Sequence, residues 1–337
     1  MLEAEYADGL QRVGNMFKGT GGVDEEALYQ LTSIDIPPQT KLVTGHLPLA
    51  ALEFMPAPTR NFTLLRDPVE RTISHYFFLA DERDKGARGL RAKTSPAIRS
   101  GEDLRAALKS GLYFPDNLQT RMLADDPAAR GPCTEQMLKE AKRNLSSKLQ
   151  VFGLVERFDE SLALFWRTFG WRSPLYRVRA RTTANRPRAE DLSRAERKAI
   201  DVTITFDREL YDHAGKQFAR QISTQDEQFE LDVSAMQAAQ RLIEHGKWAT
   251  QGRPQQDDVF EYRVHQLCAE FEYLEERRRS RSLKLRANTA ETELKQIRAR
   301  AARLSARVQE LRDEVARPPS PAPPPEEATE VREAARG

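Results

Sequence analysis

The chain has 337 residues, long enough for one substantial α/β domain and an appendage. With 39% hydrophobic and 31% charged residues it reads as a soluble protein with a strongly charged portion, and 53 Lys and Arg against 51 Asp and Glu leave a net charge of only +2, which gives no argument for nucleic acid as a partner. No apolar run is long enough to span a membrane and no charged-then-apolar secretory pattern opens the sequence, so a cytoplasmic location is expected.

Residues 1–38 are weakly patterned, with a helical tendency around Glu25 to Leu31 and glycines at Gly19, Gly21 and Gly22. The run Lys18-Gly19-Thr20-Gly21-Gly22 has no apolar strand before it and reads most simply as a surface loop. Lys41 to Gly45 is a short strand candidate that runs into His46. The unperturbed pKa of histidine suits a general base, and the same position equally suits a strand cap or a carbonyl partner.

The segment Asn61 to Leu79, NFTLLRDPVERTISHYFFL, is the most informative. Phe62 to Leu65 predicts a buried strand, and Asp67, Pro68 and Glu70 predict an immediate helix start, with Asp67 as cap and Glu70 closing a capping box. A strand feeding a helix presents backbone N–H groups and the positive end of the dipole at one spot, which favours a phosphate. Arg66 can add a planar fork and Ser74 a hydroxyl, while Val69, Ile73 and Phe77 form another face suited to packing on the sheet. A surface arginine and an ordinary helical serine fit the same residues.

Asp81 to Gly101 reads as an exposed charged loop, and Glu102 to Lys109 as a short helix. Asn117, before the next helix, is a candidate cap. Helices are predicted over Thr134 to Leu145 and Val155 to Phe169, separated by a buried strand at Leu149 to Leu154; strand–helix alternation is the mark of a covered parallel sheet. Arg177 to Arg188 is a basic segment suited to an anion or to solvent, and Ser193 with Glu196 predicts a capping box. Cys133 and Cys268 are far apart and expected as free thiols; no metal site is expected. From Leu294 through Ile297, Ala301, Leu304, Val308, Leu311 and Val315, apolar residues alternate at three and four, a heptad seam between charged faces. Pro318 to Pro325 ends that helix, and the tail is expected to be disordered.

The run LLRDPVERTISHYFF closely resembles the 3′-phosphate-binding segment of sulfotransferases, in particular the carbohydrate-type, heparan and chondroitin-like branch. The resemblance continues through Thr44-Gly45-His46-Leu47-Pro48, Phe114 to Arg121, GLVERFDESL at Gly153 to Leu162, and the Asp207 to Phe218 helix. It implies a three-layer, P-loop-like α/β domain whose Arg66 and Ser74 hold the 3′-phosphate of 3′-phosphoadenosine-5′-phosphosulfate, with His46 as the base at the acceptor hydroxyl. The family's 5′-phosphosulfate loop has only Lys18 to Gly22 as its counterpart; that loop serves in its place, or the chain starts downstream of the real one.

The expected organisation is a sulfotransferase-like domain over 1–223, its amino-terminal part incomplete if the loop is missing, a helical arm with a coiled-coil segment over 224–317, and a Pro/Glu-rich tail over 318–337. The expected activity is sulfuryl transfer to a hydroxyl, with a carbohydrate as acceptor and a homo-oligomer formed through the arm. The competing expectation is a catalytically impaired nucleotide-binding scaffold that assembles through the same helix.

Overall fold

Strand β1, Leu10–Asn15, runs parallel to β2, Leu42–His46, with Leu10 opposite Leu42 and Asn15 opposite His46. The structure, a computed structural model, describes Tyr6 and residues 10–15, 40–55, 57–84, 103–110, 116–124, 131–176, 186–246 and 259–316. The expectations for Lys18 to Gly22, for residues 85–101 and 177–185, for the tail from 318 and for the His46 side chain lie outside what is described. β1 corrects one expectation, since a strand does precede Lys18. Its sequence, LQRVGN, has too little alternation to be read as a strand, and its pairing with β2 supplies what propensity lacks.

β3, Phe62–Leu65, pairs in parallel with β4, Val151–Leu154, in the register Phe62 to Val151 and Leu65 to Leu154. Both strands fall where the apolar runs predict them. Around these parallel pairs the described residues are mostly helical: α1, Pro68–Asp84; α2, Leu104–Ser110; α3, Leu118–Leu123; α4, Glu135–Ser147; α5, Phe158–Phe169; α6, Arg194–Thr203; α7, Thr205–Ser223; α8, Glu227–Glu244; and α9, Val259–Ala316. No helix among the described residues is long and apolar enough to cross a membrane.

The main core gathers β3, β4, α4, α5, α7, α8 and the first turns of α9, through Leu65, Phe152, Phe165, Phe218, Phe229 and Phe271. It therefore continues beyond residue 223, and the compact unit extends to Arg278. Phe62 packs its ring against Phe165, Phe169 and Trp171 at centroid distances of 5.0, 5.1 and 5.8 Å. Where α5 crosses β4, Gly153 leaves no room for a side chain: a Cβ there would meet Ser161 Cβ at 2.5 Å and Leu64 Cδ2 at 2.9 Å. Ser161 uses that closeness, accepting from the Leu154 N–H at 2.9 Å and donating toward the Arg157 carbonyl at 2.8 Å.

The apolar face of α1 packs differently from the expected arrangement. Val69, Ile73 and Phe77 join a second cluster with Leu104, Ala107 and Leu108 of α2, Leu192, Ile200 of α6 and Ile204 just after it, instead of lying on the sheet. The helices α2 and α6 lie far from α1 in sequence, so nothing local to α1 names the surface it buries. The predicted capping box of α6 is present in both directions, Ser193 Oγ accepting from Glu196 N–H at 3.2 Å and Glu196 accepting from Ser193 N–H at 2.9 Å.

Candidate anion site at the end of the third strand

The β3-to-α1 turn is built from polar contacts that distant elements supply. Arg66 donates its N–H to Gln119 Oε1 at 2.9 Å, and Gln119 Nε2 donates to the Arg66 carbonyl at 2.9 Å. Gln119 thus closes on the Arg66 backbone as a neighbouring strand would, fixing it just past the last residue of β3. Asp67 Oδ1 accepts from Glu70 N–H at 2.9 Å, the helix cap predicted from sequence. The reverse half of that capping box is absent: Asp67 donates its N–H to Glu156 Oε1 at 3.0 Å instead. Glu70 has turned to Arg186, whose Nη2 reaches its carboxylate at 2.6 Å and whose Nη1 lies 3.2 Å from its carbonyl.

Gln119 is itself held from behind. The buried Asp207 accepts from Gln119 N–H at 3.1 Å, from Thr120 N–H at 2.7 Å and from Thr120 Oγ1 at 2.8 Å, and so caps α3. Asn117, in the left-handed region at φ 51°, accepts on Oδ1 from Phe206 N–H at 2.7 Å and Asp207 N–H at 3.1 Å. Each residue caps the other's helix, Asn117 serving α7 and Asp207 serving α3; the cap expected of Asn117 is real but belongs to the distant helix. Burial raises the pKa of Asp207, and the Arg71 charge and the amides of Thr120 and Gln119 oppose it.

Three arginines, Arg66, Arg71 and Arg186, lie among the carboxylates of Asp67, Glu70, Glu156 and Asp207 at this turn. Burial, then the charge of Arg186, pulls the Arg66 pKa below the ordinary arginine value, while Glu156, Glu70 and Asp67 act the other way. The pKa of Arg71 is likewise lowered, first by burial and further by Arg66, with Asp207 opposing. Arg66 Nε is a buried donor without an acceptor among the described residues. Ser74 lies one turn beyond Glu70 on α1, which places it on the helix face that meets Arg186. The turn thus brings Arg66 near Arg186, a residue that sequence reasoning flagged only as part of a basic segment, while Ser74 lies further along α1.

At the amino terminus of α1 the Asp67 carboxylate takes the Glu70 N–H, the cap expected from the sequence, so that one donor is not open to an anion. His46 closes β2 in the other strand pair, and Lys18 lies outside the described residues.

A shallow cavity of about 570 Å³ lies at α5, α8 and α9, lined by Trp166, Arg167, Asp232, Tyr262 and Arg263 among others. Its cations are matched: Asp232 meets Arg167 Nε at 3.3 Å and Arg263 Nε at 3.0 Å, and Asp226 meets Arg167 Nη1 at 2.8 Å. The unmatched donor at Arg66 makes the strand turn the better candidate. Both cysteines are free and buried, and burial pushes each thiol up to about 12, so neither is a nucleophile at neutral pH. Comparison with known proteins finds no protein-family model and no curated protein that matches this chain.

Proposed function

We propose that this chain is a sulfotransferase that binds 3′-phosphoadenosine-5′-phosphosulfate and passes its sulfuryl group to a hydroxyl, with a carbohydrate as acceptor. The observation that carries this reading is Arg66: its backbone is clamped by Gln119, its Nε is buried without an acceptor among the described residues, and Arg186 stands near enough to lower its pKa. A dianionic 3′-phosphate would satisfy that donor and relieve the repulsion between the two guanidinium groups. In this reading Arg66, Ser74 and Arg186 hold the 3′-phosphate and Lys18 the 5′-phosphosulfate. The acceptor oxygen attacks sulfur, its proton passes to His46, and the bond from sulfur to the phosphate oxygen breaks to release adenosine 3′,5′-bisphosphate.

The strand order of a three-layer, P-loop-like sheet, a cytoplasmic location and assembly through the C-terminal helix belong to the same proposal. Support for the architecture comes from the parallel strand pairs and from β1 standing ahead of the glycine loop. Calorimetry tests the site. Arg66→Ala is expected to weaken adenosine 3′,5′-bisphosphate by about 1.5 to 3 kcal/mol, a lost charge-assisted contact, while leaving adenosine 5′-monophosphate nearly unchanged. Equal weakening of both nucleotides, or no binding by the unmodified chain, would remove Arg66 from a 3′-phosphate site. Binding without any transfer to a hydroxyl acceptor would favour the nucleotide-binding scaffold instead.

A further inference from the structure

We propose that Tyr211 latches the carboxylate of Glu156 away from Arg66, so that the Arg66 guanidinium stays open for an anion instead of closing on a neighbouring acid. The latch deepens the phosphate reading of this turn and rests on it for the identity of the anion. Tyr211 is then a positioning residue that acts through Glu156.

Glu156 follows β4, whose last residue lies opposite the last residue of β3. Its Oε1 accepts from the Asp67 N–H at 3.0 Å, which sets the carboxylate against the peptide that joins Arg66 to Asp67. Its Oε2 accepts from the Tyr211 hydroxyl at 2.6 Å, as short as a charge-assisted O–H···O⁻ bond is expected to be. Both oxygens thus go to neutral donors, while the adjoining Arg66 keeps a buried Nε without an acceptor among the described residues. Left alone, an exposed carboxylate would turn toward such a donor and close on it. Burial and Arg186 lower the pKa of Arg66, and among the acids that oppose them Glu156 acts more strongly than Glu70 or Asp67.

The partners of each group show what prevents closure. Asp67 is spent on the cap of α1 and Glu70 on Arg186, which leaves Glu156 as the acid available to Arg66. The next cation in the chain, Arg157, is committed to Glu160 through Nε at 2.6 Å. Tyr211 is half-buried on α7; burial, then its bond to Glu156, raises its pKa, so it remains a donor at neutral pH. It lies one turn from Asp207, which holds Gln119, which in turn clamps the Arg66 backbone. One face of α7 therefore acts twice on the same turn: Asp207 fixes where Arg66 stands, and Tyr211 keeps the acid off it. An incoming dianion has no ion pair to break before it binds.

The test is calorimetry of adenosine 3′,5′-bisphosphate on the full chain, with Tyr211→Phe, Glu156→Gln and the two together. Tyr211→Phe keeps the ring and frees Glu156 to pair with Arg66; the nucleotide then has to displace an exposed ion pair, and its Kd should rise about two- to fivefold. Glu156→Gln keeps an acceptor for the Asp67 N–H and removes the competing charge, so it should bind at least as tightly as the unmodified chain, and adding Tyr211→Phe to it should change the Kd little. Tyr211→Phe that leaves the Kd as it was, or that raises it as much with Glu156→Gln as without, overturns the latch. A second measurement needs no ligand. In urea titrations Arg66→Ala and Glu156→Gln should be close to additive in the unmodified chain, and coupled about twofold or more in the unfolding equilibrium constant once Tyr211→Phe is present. Additivity in both backgrounds overturns the latch even where the nucleotide binds. Coupling that appears with Tyr211→Phe in a chain that binds no bisphosphate upholds the latch and removes the phosphate reading alone.

Discussion

Replacing Gln119 by Leu isolates the element that shapes the anion site. Gln119 is 7% exposed and its amide makes two hydrogen bonds of 2.9 Å to the Arg66 backbone, one as acceptor and one as donor. Leucine fills a similar volume and makes neither, so the Arg66 N–H and carbonyl both lose their partner. A buried polar group left unpaired costs about 1 to 3 kcal/mol; Arg66 is only partly buried and water can reach it, so the two together should cost about 2 to 4 kcal/mol. The Gln119 N–H remains bonded to Asp207, so α3 keeps its cap and the loss is confined to the turn. Urea titration followed by far-ultraviolet circular dichroism should show the midpoint falling with little change in slope. Bisphosphate affinity should fall as well, because the side chain of Arg66 is aimed by the backbone that Gln119 holds. A midpoint within about 0.5 kcal/mol of the unmodified chain would refute the clamp as a structural element, that being the range of ordinary surface changes.

Two further outcomes are expected. Gly153→Ala should destabilise by about 1 to 3 kcal/mol, because its Cβ would stand 2.5 Å from Ser161 Cβ, a rigid position that cannot swing aside; thermal unfolding at an unchanged temperature would show that α5 and β4 separate freely. His213 has its pKa lowered by burial and then by Lys142, Lys216 and Arg220, so the unfolded chain binds the proton more readily than the folded one. Stability from this group is full above the unfolded value near 6.5 and is lost as pH falls through the folded value, and His213→Gln should flatten that part of the urea-midpoint profile; an unchanged acid slope in the variant would assign the loss to other groups.

What was legible in the sequence is what local chemistry decides. The apolar run Phe62 to Leu65 with Asp67 and Pro68 behind it predicts the strand, the turn and the cap, and all three are present. The face of α1 was visible as a period but its partner was not, because α2 and α6 come from distant parts of the chain. The same holds at the site. Arg66 and Ser74 stand out within one segment, whereas Gln119, Glu156 and Arg186 act on the turn from 53, 89 and 116 residues away along the sequence. The signal available for Gln119 is the polar run Asn117, Gln119 and Thr120 at the start of α3, and its role follows from Asp207 and Asn117 capping each other's helices. β1 shows the opposite limit: a segment with weak propensity becomes a strand through its pairing with β2.

The position of Asp67 also bears on what kind of anion the turn can select. A helix amino terminus left open would hold any small anion through its N–H groups and dipole, with little regard for shape. Here the Asp67 carboxylate takes the Glu70 N–H and brings a negative charge to that terminus, and Glu70, the next acid along, is held by Arg186. Under the proposed phosphate reading the contacts fall to guanidinium groups: the Arg66 backbone is anchored by Gln119, and the Arg186 guanidinium is held by two contacts to Glu70. Forks of that kind favour a tetrahedral dianion able to accept from several N–H groups at once over a singly charged ion. Glu70 acts in this arrangement as a positioning residue for Arg186, and the acidic neighbours Asp67 and Glu156 keep the cluster from being so positive that it would repel its own arginines. In the proposed site Arg186 is already oriented by Glu70, so an incoming phosphate would not first have to draw that long side chain out of solvent.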